Sequence, residues 1–155
     1  MTVAGLTYVA FLLLSFAGST LRNVPLQLVG SATGFVLAVL LYRLFAPAEP
    51  LVALALLPLA FVHYLIQGIG QVRSNTGMLR LALVPFAAYL ILLGYLIARS
   101  TFAPGGLGVL IVLAGVAWLI AVAPGVPTWS TLAVVVFGVV VEVMLAIWLL
   151  TAPAR

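Results

Sequence analysis

Apolar residues run almost unbroken through this chain, and the runs stop only at short clusters of Pro, Gly and polar residues. A bilayer core about 30 Å thick needs roughly 20 apolar helical residues per crossing. Cut at its own punctuation, the sequence yields six such stretches: Val3 to Ser19, Gln27 to Phe45, Leu51 to Val72, Leu81 to Ala98, Leu107 to Ala123 and Thr131 to Leu150. In hydrocarbon every backbone N–H and C=O must be satisfied by protein, so a spanning segment is either a helix or part of a closed barrel. Barrel strands alternate apolar and polar residues with period two, and these runs do not. The predicted fold is therefore all-α, a polytopic transmembrane bundle of about six spans forming a single domain over residues 1–155.

Composition agrees. Of the 155 residues 66% are hydrophobic and 5% charged, against about 25% charged in soluble domains. The net charge of +4 comes from isolated Arg residues without a basic patch, so no nucleic-acid partner is expected; the expected partner is the lipid bilayer itself. The absence of Cys excludes disulfides, thiol nucleophiles and thiolate metal sites. The opening segment ends in the small residues Ala17, Gly18 and Ser19 but has no basic n-region, so it is read as a retained first helix, with signal cleavage the alternative.

The connections STLRNVPL, APAEP, RSNTGMLR, RSTFAPGG and PGVPTWS are too short for a soluble domain. Pro58 and Pro85 fall within spans, where each removes a backbone donor and bends its helix. With six spans, Arg43, Arg99 and Arg155 share one side and Arg22, Arg73 and Arg80 the other, so the positive-inside count is tied. Cytoplasmic termini are preferred because Arg43 and Arg99 close spans beside very short turns. Trp129 and Trp148 bracket the last span at levels where indoles favour the interface. Gly30 and Gly34 form a GxxxG in the second span, a face on which helices approach closely. It is read as an internal contact, with a seam in a homodimer or larger membrane complex as the alternative.

The polar residues forced to membrane depth are the informative ones, because an ionisable group at a helix centre costs about 2.5–3.5 kcal/mol on insertion scales. His63 and Glu142 both fall within roughly 3 Å of the midplane at about 1.5 Å rise per residue. His63, Gln67 and Gln71 recur at i, i+4 and i+8 on one helix face, and Glu142 is their expected partner across the bundle. One His, no Cys and two acidic residues cannot build an ordinary zinc or di-iron site, and Met1, Met78 and Met144 offer no convincing second haem ligand beside His63. No cofactor and no metal are expected. No nucleophile elbow, phosphate loop or Ser-His-Asp order is present, so no catalytic residue is assigned.

LLGYLIARS followed by Pro104, LGVLIVLAG from Leu107 to Gly115, and a last helix carrying Glu142 and AIWLL from Ala146 to Leu150 resemble the bacterial membrane-protein family known as domain of unknown function 4386. LYRLFAP, from Leu41 to Pro47, is similar to that family's turn after its second helix. The resemblance implies six helices, a multi-pass location in the bacterial cytoplasmic membrane, and no established activity. The chain departs from the family in having little between its first two helices. Glu142 is the polar position that carries over inside a span; His63 has no counterpart.

Three functions fit these residues. The first is a non-enzymatic bundle that binds a hydrophobic ligand or a membrane partner. The second is a proton- or ion-coupled transporter built on a midplane Glu142–His63 pair. The third is a membrane-embedded enzyme acting on lipid, for which no electrophile-binding group is evident.

Overall fold

The computed structural model describes residues 2–152, apart from the side chains of Thr128 and Trp129; the anchoring role expected of Trp129 lies outside the described residues. Six helices follow one another: α1 (Thr2–Thr20), α2 (Val24–Phe45), α3 (Pro50–Val72), α4 (Thr76–Arg99), α5 (Gly105–Ala121) and α6 (Thr128–Thr151). Five are long and apolar enough to cross a membrane. The exception, α5, has 17 residues and spans about 25 Å at 1.5 Å per residue. The described residues therefore form the all-helical transmembrane bundle that the apolar runs dictate.

Every helix begins before the start that the apolar pattern suggests, and in α2 and α4 the local cause is clear. α2 starts at Val24 rather than Gln27, and α4 at Thr76 rather than Leu81. The cause is capping. The Asn23 side chain accepts from the Leu26 amide and the Asn75 side chain from the Met78 amide, each at 3.0 Å, which satisfies donors that a helix start would otherwise leave open. Both turns are built alike. Arg22 and Ser74 adopt left-handed φ values of 50° and 49°, and the Asn23 and Asn75 amides reach back to the carbonyls of Gly18 and Gly70, the six-to-one bond of a Schellman motif. Two three-residue turns thus fold α1–α2 and α3–α4 into matching hairpins, with Gly18 and Gly70 letting the helix that follows approach closely.

Each helix packs on its sequence neighbours, and α6 returns to α1, so the six close into a ring. The tightest crossing is α4 on α5, where a Cβ on Gly94 would stand 2.6 Å from the Gly108 carbonyl oxygen; such small-residue contacts replace the hydrophobic drive that lipid cannot supply. Gly30 and Gly34 also face inwards. Gly30 abuts Ser15 of α1, and Gly34 abuts Phe11 and the Tyr64 hydroxyl, so this face is occupied within the chain.

The two ends of the ring differ. At the end holding the α2–α3 and α4–α5 turns, Phe45 stacks on Phe102 at 5.5 Å and Phe102 on Trp148 at 6.2 Å, above a core of Leu41, Leu56, Leu96, Ile97 and Leu149. Trp148 is partly buried and joins this aromatic stack at the end of the bundle. The outward faces carry exposed Leu, Val, Ile and Phe, the surface that lipid covers. At the opposite end, near Arg22, Arg73 and Arg80, the interior is polar.

Candidate functional site: a polar cavity at one end of the bundle

Four helices each contribute an i, i+4 polar pair or triplet to this interior: Ser15 and Ser19 from α1, Gln27 and Ser31 from α2, His63, Gln67 and Gln71 from α3, and Thr76 and Arg80 from α4. Residues four apart share one helix face, so the short hairpin turns bring four polar stripes together. They line a cavity of about 770 Å³, bounded by His63, Gln67, Gln71, Thr76, Arg80 and Gln27. An inner recess of about 80 Å³ lies among Ser15, Ser31, Gln67 and Gln71.

His63 sits at the deep end, 6% exposed. Its Nδ1–H donates to the Ala82 carbonyl at 2.8 Å, which leaves Nε2 as an acceptor on the neutral ring. Pro85 has no N–H to give the Leu81 carbonyl and crowds that turn of α4, next to the carbonyl that His63 reaches. The imidazole is one member of a line of rings crossing the bundle: Tyr8, Phe11, Tyr64, His63, Phe86 and Trp118, with successive centroids 4.6–6.2 Å apart. This aromatic layer crosses the bundle at the depth of His63, where the cavity ends.

Above it the polar groups are only partly satisfied by one another. The Gln27 side-chain amide donates to the Gly18 carbonyl at 3.0 Å, and Ser31 donates to the Gln27 carbonyl at 3.1 Å and lies 3.5 Å from Gln67 Oε1. Gln71 Oε1 is buried without a hydrogen-bond partner. An acceptor left open in this way costs about 1–3 kcal/mol.

Glu142 does not join this group. Its neighbours are the phenols of Tyr8, Tyr64 and Tyr89, all within electrostatic reach, and it lines a separate groove between α1 and α6. Among the described residues it has no ion-pair partner; the ion pair found there is Arg99 with Glu49, 4.0 Å apart at the closed end. His63 is engaged instead with Ala82, Tyr64 and Phe86. Of the four polar positions singled out from the sequence, the structure joins His63, Gln67 and Gln71 and sets Glu142 apart. It adds Ser15, Ser19, Gln27, Ser31, Thr76 and Arg80, whose signal was the same four-residue spacing repeated on three other helices. No cluster of three or more His, Cys, Asp or Glu able to hold a metal occurs among the described residues.

A bundle of apolar helices with a polar pocket open at one end defines a transmembrane helical protein with a candidate binding pocket. The chain belongs to the family described as Domain of unknown function (DUF4386), whose family model matches residues 72–152, just over half of its length. The match takes in α4, α5, α6 and Glu142, whereas His63 and the stripes on α1 and α2 precede it. No curated protein and no solved structure matches the chain.

Proposed function

We propose that this protein is a non-enzymatic, multi-pass protein of the bacterial cytoplasmic membrane that binds a small polar or amphipathic molecule in the cavity among α1–α4. The observation that carries the reading is the cavity of about 770 Å³ bounded by His63, Gln67, Gln71, Thr76 and Arg80 inside an otherwise apolar bundle. Polar side chains at membrane depth are costly, and here nine polar side chains from four helices gather in one place. The groups suit holding a ligand by hydrogen bonds: amides and hydroxyls, one guanidinium and one imidazole acceptor. This departs from a purely hydrophobic ligand, because the lining offers donors and acceptors in equal measure. A Glu142–His63 relay is the less favoured reading, because no hydrogen bond or ion pair joins the two groups, although Tyr64 neighbours both.

Native mass spectrometry of the protein released from lipid nanodiscs tests the proposal. A discrete small-molecule adduct is expected on the wild-type chain and absent from a Gln67→Leu, Gln71→Leu double variant that remains folded. A wild-type chain carrying no adduct other than phospholipid, from several preparations, would overturn it.

A further inference from the structure

Glu142 stands on α6 beside a second opening that the polar cavity does not use. A groove of about 410 Å³ runs between α1 and α6, lined by Phe11, Leu13, Phe16, Val139, Val143 and Glu142. Leu13, Phe16, Val139 and Val143 are among the exposed residues of the outer surface, so the groove opens sideways towards lipid. Its walls are apolar except for Glu142, Ser15 and Ser19, and no Arg or His borders it. Glu142 as a residue is partly buried, and within the described residues no hydrogen bond or cation engages its carboxylate. Phe11 and Phe16 line the groove with it, and the Tyr8, Tyr64 and Tyr89 phenols lie within its electrostatic reach. A carboxylate in a low-dielectric site attracts a cation strongly. An apolar cleft with a single anionic point matches a molecule with a bulky apolar body and a single positive charge.

We propose that the α1–α6 groove is a binding site for a lipophilic organic cation, reached from the bilayer, with Glu142 as its counter-ion. The proposal does not rest on the polar cavity holding a ligand. Ser15 and Ser19 border both spaces, but His63, Gln67 and Gln71 do not touch the groove.

The test is equilibrium binding of radiolabelled tetraphenylphosphonium to the full chain in nanodiscs, with empty nanodiscs subtracted. Saturable binding at one cation per chain is expected, weakened at least tenfold by Glu142→Gln. Two lipid-facing variants keep the result decisive if Glu142→Gln proves unstable. Val139→Trp fills the groove while retaining the carboxylate and is expected to abolish binding, whereas Val136→Trp, on the exposed surface of α6 outside the groove lining, is expected to leave it intact. Absence of saturable binding to the wild type would overturn the proposal, as would equal affinity in the Glu142→Gln or Val139→Trp variant.

Discussion

The Tyr64 hydroxyl on α3 occupies the space that a side chain on Gly34 of α2 would fill. Gly34 is therefore a seat for a phenol inside the ring, and its partner in the GxxxG, Gly30, meets α1 less tightly, with Ser15 atoms 3.2 and 3.3 Å from a built Cβ. Gly34→Ala is expected to destabilise the bundle by about 1–3 kcal/mol, the usual cost of overpacking, and Gly30→Ala by less. Thermal unfolding in detergent reads the order; an oligomeric shift without loss of stability would mean that the glycines serve a seam between chains.

His63 is held by a single hydrogen bond to Ala82 and by two ring contacts. Replacing it with Phe keeps the stacking and removes the bond. A loss of about 0.5–1.5 kcal/mol is expected for the bond itself, with His63→Ala costing more because it also leaves a void. Equal unfolding midpoints for His63→Phe and His63→Ala would show that the ring packing contributes nothing.

Gln71 is expected to behave in the opposite way. Its Oε1 is buried and unpartnered, so Gln71→Leu removes an unsatisfied acceptor and should leave stability unchanged or raise it by about 1 kcal/mol while making the cavity less polar. A residue that improves stability when lost is one retained for another purpose. Chemical or thermal unfolding of the variant decides this, and a loss above 1 kcal/mol would assign Gln71 to the packing.

The twin hairpin turns offer a paired test. Arg22 and Ser74 sit in the left-handed region that favours glycine, so Arg22→Gly and Ser74→Gly are each expected to gain about 0.5–1 kcal/mol. Asn23→Ala and Asn75→Ala remove the caps on α2 and α4 and are expected to lose about 1 kcal/mol each. Unfolding midpoints of the four variants check both signs.

How much of this was legible in the sequence depends on which force wrote it. The helices could be read because the bilayer demands long apolar runs, and the family because LLGYLIARS, LGVLIVLAG and AIWLL lie within residues 72–152, whereas LYRLFAP lies outside the match. The starts of α2 and α4 were hidden by their own caps, since RNVP and SNTG read as loop although Asn23 and Asn75 are helix-starting residues. The α3 stripe stood out because Gln and His are expensive in lipid. Ser15, Ser19, Ser31 and Thr76 did not, because hydroxyls in helices commonly bond back to their own backbone, as Ser31 does to Gln27, and only the neighbouring helices make them part of a cavity. Glu142 was visible as an ionisable residue at depth, but its partners were not. Tyr8, Tyr64 and Tyr89 carry no sequence mark separating an interior phenol from one at the membrane surface.

The cavity bounded by His63, Gln67, Gln71, Thr76 and Arg80 lies at the end carrying Arg22, Arg73 and Arg80, and aromatic rings stack at the other end, so a polar reagent should reach Gln67 from one side alone. The chain has no Cys, so single cysteines can be placed without background and challenged with a charged, membrane-impermeant thiol reagent in vesicles of defined orientation. Gln67→Cys and Gln71→Cys are expected to react from one side only. Leu56→Cys in the closed core and Leu65→Cys on the lipid-facing surface are expected to stay unmodified. If Gln67→Cys is as inert as Leu56→Cys, the polar stripes are structural and the cavity does not exist as a binding site.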